Sequence, residues 1–98
     1  GQSLMKKLLR LYVVGQTPAA AAAIETLQSQ LSDPALRDWE LEVVDVIEKP
    51  HLAEEDRIVA VPAVIKKLPP PLKRFVGDLS NKEQTLLGLD LLINGQAN

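Results

Sequence analysis

Ninety-eight residues, 46% of them hydrophobic and 24% charged, make one globular domain, too small for a second core and too apolar for a disordered chain. A formal net charge of -2 offers no electrostatic footprint for nucleic acid, and the lack of cysteine removes disulfides, thiolate nucleophiles and thiol redox chemistry. No apolar run approaches the roughly 20 residues of a membrane helix and no secretory pattern is present, so the expected compartment is the cytosol.

In chain order, Gly1-Gln2-Ser3 reads as a cloning scar, and residues 1–7 as a disordered start. From Leu8 to Val14, Leu9, Leu11 and Val13 alternate with Leu8, Arg10, Tyr12 and Val14, which predicts a strand closed by Gly15-Gln16. Thr17 is placed to cap a helix, with Pro18 at the first position, where its missing N–H is not needed. Ala20, Ile24, Leu27 and Leu31 form the core-facing stripe, and Ser32-Asp33-Pro34 stops the helix. After a short polar loop, Trp39 to Ile47 reads as a second strand, with Leu41, Val43 and Ile47 on one face and Val44 and Val46 on the other. Both faces end apolar, which predicts cover on both sides. The connection from Gly15 to Asp38 is long enough for a right-handed crossover, so the two strands should run parallel.

Lys49-Pro50 closes that strand, and His51 to Val59 reads as a short helix carrying Glu54, Glu55 and Asp56 near its positive N-terminal end. Residues 61–67 read as a strand, Pro69-Pro70-Pro71 forbids regular structure, and Leu72 to Val76 reads as a second strand ended by Gly77-Asp78. Ser80-Asn81-Lys82-Glu83 is a capping box, the Ser80 hydroxyl accepting the Glu83 N–H. Beyond it two instructions conflict. Leu87, Leu89, Leu91 and Ile93 alternate with Gly88, Asp90 and Leu92 as in a half-buried strand, so 85–93 stands open between strand and helix. Gly88 costs a helix about 1 kcal/mol relative to alanine, and Gly88→Ala should therefore favour the helical state. Residues 94–98 read as a disordered end. The order βαβ, short helix, hairpin, helix is that of a thioredoxin-like α/β domain spanning 8–93.

The segments LRLYVVGQTP (Leu9 to Pro18) and VVDVIEKPHLAEEDRIVAVPAVIKKLPPPLKRFVGDLSNKEQTLLGLDLL (Val43 to Leu92) resemble the KaiB family of cyanobacterial circadian clock proteins. The combination of PxLAEED, KxLPPP, GDLS and GLDLL carries the resemblance. It implies a metamorphic protein with two folds: a ground-state βαββααβ form that tends to tetramers, and a thioredoxin-like βαβαββα monomer that binds partners. The second form docks on the first ATPase ring of the clock kinase KaiC, captures KaiA there, and competes with a KaiB-like sensor domain of a histidine kinase. Val61 and Ala63 stand where the family usually has threonines, and the usual acidic tail is missing after Asn98. Together with β-branched Val64 and Ile65 these departures favour the thioredoxin-like form, the fold expected here, with the ground-state form as the alternative. They also keep open a second function, an input or stress-response module for another partner such as a histidine kinase.

The resemblance implies that the helix after Lys49 lies at the partner-binding face, which nominates Leu52, Glu55 and Arg57. Lys66, Lys67, Lys73 and Arg74 flank the triple proline and form either a solvated hairpin tip or a docking patch for an acidic surface. Pro62, Pro69, Pro70, Pro71, Gly88 and Asp90 fall in the segment that a change of fold must rebuild. Pro62 is expected cis, as thioredoxin-like domains place a cis proline before the third strand, and X-Pro isomerisation over tens to hundreds of seconds would gate binding. Candidates for chemistry are thin. His51 stands alone, without the ligands of a transition-metal site. Glu54, Glu55 and Asp56 read as surface charge, and Asp45 as either a buried, high-titrating carboxyl or a wet strand end. Gln16-Thr17-Pro18 stands where a thioredoxin has its cysteines, and Tyr12, Trp39 and Phe75 give no base-stacking platform. The chain is expected to be non-enzymatic, with no cofactor and no metal.

Overall fold

The first strand, β1 (Leu8–Val13), organises the domain, because strands on both sides pair with it from Leu8 to Tyr12. In this computed structural model, which describes residues 6–76, 79–89, 91–93 and 96–97, it is followed by α1 (Pro18–Leu31) and a 3-10 turn (Pro34–Leu36). Then come β2 (Glu40–Asp45), α2 (Pro50–Glu55), β3 (Ala63–Leu68), β4 (Lys73–Val76), α3 (Lys82–Gly88), and a short pair, β5 (Leu92–Ile93) and β6 (Gln96–Ala97). The main sheet has the order β2-β1-β3-β4. β1 and β2 are parallel, with Leu11 opposite Val43, as the crossover length requires, whereas β3 is antiparallel to both β1 and β4. This is the thioredoxin-like order expected from the sequence. The Val61–Pro62, Leu68–Pro69 and Pro70–Pro71 bonds are cis, the first as expected.

Alternation along β1 divides the interior into two cores. Leu9, Leu11 and Val13 pack with Ala20, Ala23 and Leu27 of α1, with Leu36, and with Leu79, Leu86, Leu89 and Leu91. Tyr12, on the opposite face, packs with Val44 and Ile65 under Leu52, Ala53, Ile58 and Val61. α1 begins as predicted: Thr17 Oγ1 accepts the Ala20 N–H at 3.0 Å, and Pro18 occupies the first turn. Its buried stripe is Ala20, Ala23, Leu27 and Gln30, a few tens of degrees from the predicted one, so Ile24 and Leu31 flank the core rather than fill it.

Several expectations need correction. β2 lies at the edge of the sheet, so Val43 is 41% and Ile47 68% exposed instead of covered, and strand pairing stops at Asp45. The segment expected as a polar loop contains Leu36, fully buried in its 3-10 turn. α2 starts at Pro50 and ends at Glu55, so Glu54 and Glu55 stand in its last turn and Asp56 caps its C-terminus, the reverse of the predicted dipole arrangement. α3 is capped by Asn81, whose side-chain oxygen accepts the Gln84 N–H at 3.1 Å, one residue after the expected Ser80. The conflict over 85–93 resolves by division. The helix runs to Gly88, burying Thr85 and Leu86, and extended structure begins at Leu92. Gln96 and Ala97, expected in a disordered end, pair with β5, while Asp90 lies outside the described residues.

At Gly88 α3 lies close against β4: a Cβ added there would lie 2.7 Å from Cδ1 of the Phe75 ring. The sequence-based preference for alanine, about 1 kcal/mol, therefore meets an overpacking cost of roughly 1–3 kcal/mol. Gly88→Ala is expected to lower the urea midpoint, and Phe75→Leu combined with it to recover part of the loss. A higher midpoint for the single variant would show that propensity prevails over packing.

Candidate functional site

The second face of the sheet carries a polar cluster set in apolar surroundings. Period-2 alternation puts Arg10 and Tyr12 of β1 on this face, the register sets Glu42 of β2 opposite Arg10, and Lys67 of β3 stands where the β1–β3 register shifts. α2 supplies the fourth side: its C-terminal residue Asp56 is 5% exposed and turns its carboxylate onto the strands. Oδ1 accepts Lys67 Nζ at 2.7 Å, and Oδ2 accepts Arg10 Nη1 at 3.0 Å together with the Tyr12 hydroxyl. Arg10 Nε donates to Glu42 Oε1 at 2.6 Å, and the Tyr12 hydroxyl also lies 2.8 Å from the Leu52 carbonyl of α2.

Two cations and two carboxylates balance, and the buried one is saturated with donors. Burial alone would raise the Asp56 carboxyl, but the hydrogen bonds from Lys67, Tyr12 and Arg10 outweigh it and hold the group below its ordinary value. Burial, then the hydrogen bond to Asp56, pushes the Tyr12 phenol up to about 12. Burial opposes the Arg10 charge, yet its bonds to Tyr12 and Glu42 raise it further. Such a cluster has no nucleophile and no poised base; it clasps α2 to β1 and β3.

Beyond the clasp, the chain turns at Arg57, a non-glycine residue with φ of +55°. Its N–H donates to the Glu54 carbonyl at 3.1 Å and the next N–H, of Ile58, to Ala53 at 2.9 Å, a helix-ending pair that usually has glycine at its left-handed position. The Arg57 carbonyl accepts Arg74 Nη1 at 3.1 Å, so β4 is tied to the same corner. Of the nominated residues, Glu55, Arg57 and Arg74 thus share one exposed corner, while Leu52 packs into the second core. The four basic residues of the hairpin do not act as one patch. Alternation sends Lys66 and Lys73 to the face of the first core and Lys67 and Arg74 to the other; Lys66 is 4% exposed and Lys67 is held by Asp56. His51 and Lys73 are exposed. Asp45 sits at a strand end, where N–H groups of Gly15 at 2.9 Å and Ile47 at 2.8 Å hold its carboxyl below the ordinary value. Pro62 and Pro69 are half-buried, whereas Pro70 and Pro71 are exposed.

Sequence reasoning missed the clasp. Arg10 and Tyr12 were placed on one strand face with Leu8 and Val14, a polar pair inside an apolar alternation, and that was the available signal. Asp56 carried none, since its burial depends on where α2 ends. Among the described residues no three potential ligands gather into a metal site, and no helix is long and apolar enough to cross a membrane.

A four-stranded mixed sheet with α1 starting at Thr17-Pro18 and no cysteine anywhere defines a thioredoxin-like α/β domain without the redox pair. The solved N-terminal domain of Synechococcus elongatus SasA superposes with a TM-score of 0.69 at 26% identity, over 86% of this chain and 80% of that one. Mitochondrial thioredoxin 3 of Saccharomyces cerevisiae, at 20% identity, matches in fold with a TM-score of 0.70 over 89% of this chain and 79% of its own. The family model for the KaiB domain matches residues 10–91, and the chain belongs to the KaiB family of circadian clock proteins. The circadian clock oscillator protein KaiB of Synechococcus sp. strain RCC307 is 49% identical over 85 residues, 87% of this chain and 77% of the relative. That of Microcystis aeruginosa is 47% identical over 92 residues, 92% of this chain and 88% of the relative.

The clasp sets a pH dependence of opposite sign at each end. Asp56 has a lowered folded pKa, so its contribution to stability is complete above its ordinary 3.8 and is lost as the pH falls through the folded value. Tyr12 has a raised one, so its contribution is complete below 10.0 and is lost as the pH rises toward about 12. Asp56→Ala takes the acidic partner from Lys67 and leaves Arg10 with Glu42 alone, and is expected to cost about 3 kcal/mol, and Tyr12→Phe about 2 kcal/mol. Urea unfolding across pH checks both: the acid limb should flatten in Asp56→Asn and the alkaline limb in Tyr12→Phe.

Proposed function

We propose that the protein is a non-enzymatic, cytosolic clock component that binds the first ATPase ring of a KaiC-like kinase and captures KaiA on it. The observation that carries this reading is the corner formed by Glu55, Arg57 and Arg74. It is exposed, of mixed charge, and fixed to the sheet by the clasp at Asp56 and by the bond from Arg74 to the Arg57 carbonyl. A rigid charged corner steers encounter and fixes orientation at low ordering cost. Leu52 and Lys67 support it from beneath, while Lys66 and Lys73 face the other side of the sheet. Family membership supports the choice of partner.

In this reading the fold described here is the binding-competent form, a monomer, and a KaiB-type ground-state tetramer is its competitor. Rebuilding between Val61 and Ile93 is the slow step, and the apparent affinity falls with the fraction of protein in the competent fold. A second reading is an input or stress-response module for a histidine kinase. It is favoured by Val61, which packs against the second core, and by Ala63, which is buried, where the family's usual threonines would bring hydroxyls.

Arg57 separates binding from stability. An arginine in the left-handed region costs about 1 kcal/mol relative to glycine. Arg57→Gly is expected to raise the melting temperature while weakening binding to a purified KaiC-like ring at least tenfold, and Glu55→Lys and Arg74→Glu to weaken it without changing the fold. Unaltered affinity in all three, measured by interferometry, would remove the corner from the interface. Starting from protein shown by NMR to be in the ground-state fold, association should reach a rate independent of ring concentration; a linear rise would rule out the slow step.

A further inference from the structure

A polar cleft of about 540 Å³ lies between α1 and the start of α3. α1 contributes Glu25, Thr26, Ser29 and Gln30 to it, and Ser80 and Lys82 stand on the opposite wall. The four helix residues lie three or four apart, so they share one face, and Gln30 belongs both to that face and to the buried stripe with Ala20, Ala23 and Leu27. Two bonds hold the walls together. Gln30 Nε2 donates to the Leu79 carbonyl at 2.6 Å, and Lys82 Nζ pairs with Asp33 Oδ2 at 3.2 Å.

Two acceptors in this lining are unmatched. Gln30 is 6% exposed, and its Oε1 is buried with no donor among the described residues. Turning the carboxamide over brings no relief, because Oε1 would then face the Leu79 carbonyl, oxygen against oxygen. A buried acceptor without a donor has lost its hydration and gained nothing, so such an oxygen beside a cleft marks a place for a donor from outside. The second acceptor is Glu25, exposed and without an ion pair or hydrogen bond among the described residues, whereas the Lys82 charge is already answered by Asp33. The cleft therefore calls for N–H donors that carry positive charge. An anion would meet the Glu25 carboxylate and the Gln30 oxygen and would find Lys82 engaged.

We propose that the cleft between α1 and the start of α3 binds a guanidinium group, which donates to Gln30 Oε1 and is held by the charge of the Glu25 carboxylate. A guanidinium is a planar fork of N–H donors with no acceptor, and it is less strongly hydrated than an ammonium, so it gives up water for an amide oxygen more readily. The last torsion of a glutamine is broad, and a small turn about it presents Oε1 to the cleft while Nε2 stays on Leu79. A free guanidinium compound and an arginine side chain of a partner protein offer this same chemistry. The cleft shares no residue with the corner at Glu55, Arg57 and Arg74, so the site stands or falls independently of that reading.

The test is an NMR titration of the whole chain with ethylguanidinium chloride at millimolar concentration. Saturable shifts are expected for the backbone amides of Glu25, Thr26, Ser29 and Gln30 and for the carboxamide protons of Gln30. Tetramethylammonium, which has the charge but no N–H, should produce none of them. Gln30→Met, which keeps the length and removes the acceptor, should raise the dissociation constant roughly tenfold, a shift of about 1.4 kcal/mol. Glu25→Gln, at an exposed position, should raise it several-fold, and Glu54→Gln on α2 should leave it unchanged. If Gln30→Met misfolds, Glu25→Gln and the tetramethylammonium comparison decide the matter. Acetyl-Gly-Arg-Gly-amide separates the two sources: binding as tight as that of ethylguanidinium assigns the cleft to a partner's arginine, and weaker binding assigns it to a free compound. Any of three results overturns the proposal: no saturable shifts at these residues, equal shifts with tetramethylammonium, or an affinity that Glu25→Gln and a folded Gln30→Met leave unaltered.

Discussion

One carboxylate, that of Asp56, holds the two halves of this domain in register. It stands at the end of α2, reaches β1 through Arg10 and Tyr12, and reaches β3 through Lys67. α2 is only six residues long and contributes no fully buried side chain of its own, so apolar packing alone holds it weakly. Charge supplies what area does not. A buried ion pair gives little net stability when weighed against a hydrophobic equivalent, but it strongly penalises any arrangement that leaves one member behind. The clasp therefore selects one position for α2 more than it deepens the well, and the corner beyond it inherits that definition.

The parts of the fold that rest on local rules were legible in the sequence. Alternation in β1, the Thr17-Pro18 start of α1, the parallel pairing of β1 with β2 and the hairpin around the triple proline all follow from spacing and turn chemistry. What depends on neighbours in space was not legible. Nothing in residues 39–47 says that β2 ends at a sheet edge; that follows from β1 standing between it and β3. The burial of Leu36 comes from a turn too short to show any period. The three consecutive acids illustrate the limit well. Moving the start of α2 by one residue and its end by four converts a favourable first turn into a last turn, and the third acid becomes a buried charge held by Lys67, Arg10 and Tyr12.

The candidate surface was legible by resemblance more than by chemistry. Leu52, Glu55 and Arg57 were nominated because the family's helix lies there, and the structure gives them different work: Leu52 anchors the helix, while Glu55 and Arg57 stand in solvent. The basic residues of the hairpin were grouped by proximity in sequence, which ignores that adjacent strand residues face opposite ways. Only Arg74 joins the corner through a defined bond. A backbone angle, that of Arg57, marks the corner more sharply than any composition does.

The central position of β1 has a bearing on biosynthesis. The strand that both neighbours need is the first to leave the ribosome, and its partners follow about 30 and 55 residues later, as the register of Leu8 with Glu40 and with Leu68, and of Tyr12 with Ala63, prescribes. At roughly 5–20 residues per second the nascent strand waits several seconds for its second partner. Until β2 has emerged Leu9, Leu11 and Val13 have no sheet to enter, and α1, rich in alanine and capped at its own start, is the one neighbour already able to form. Its early folding would shield the nascent strand, which gives the five consecutive alanines of residues 19–23 a role in the chain's emergence as well as in its final packing.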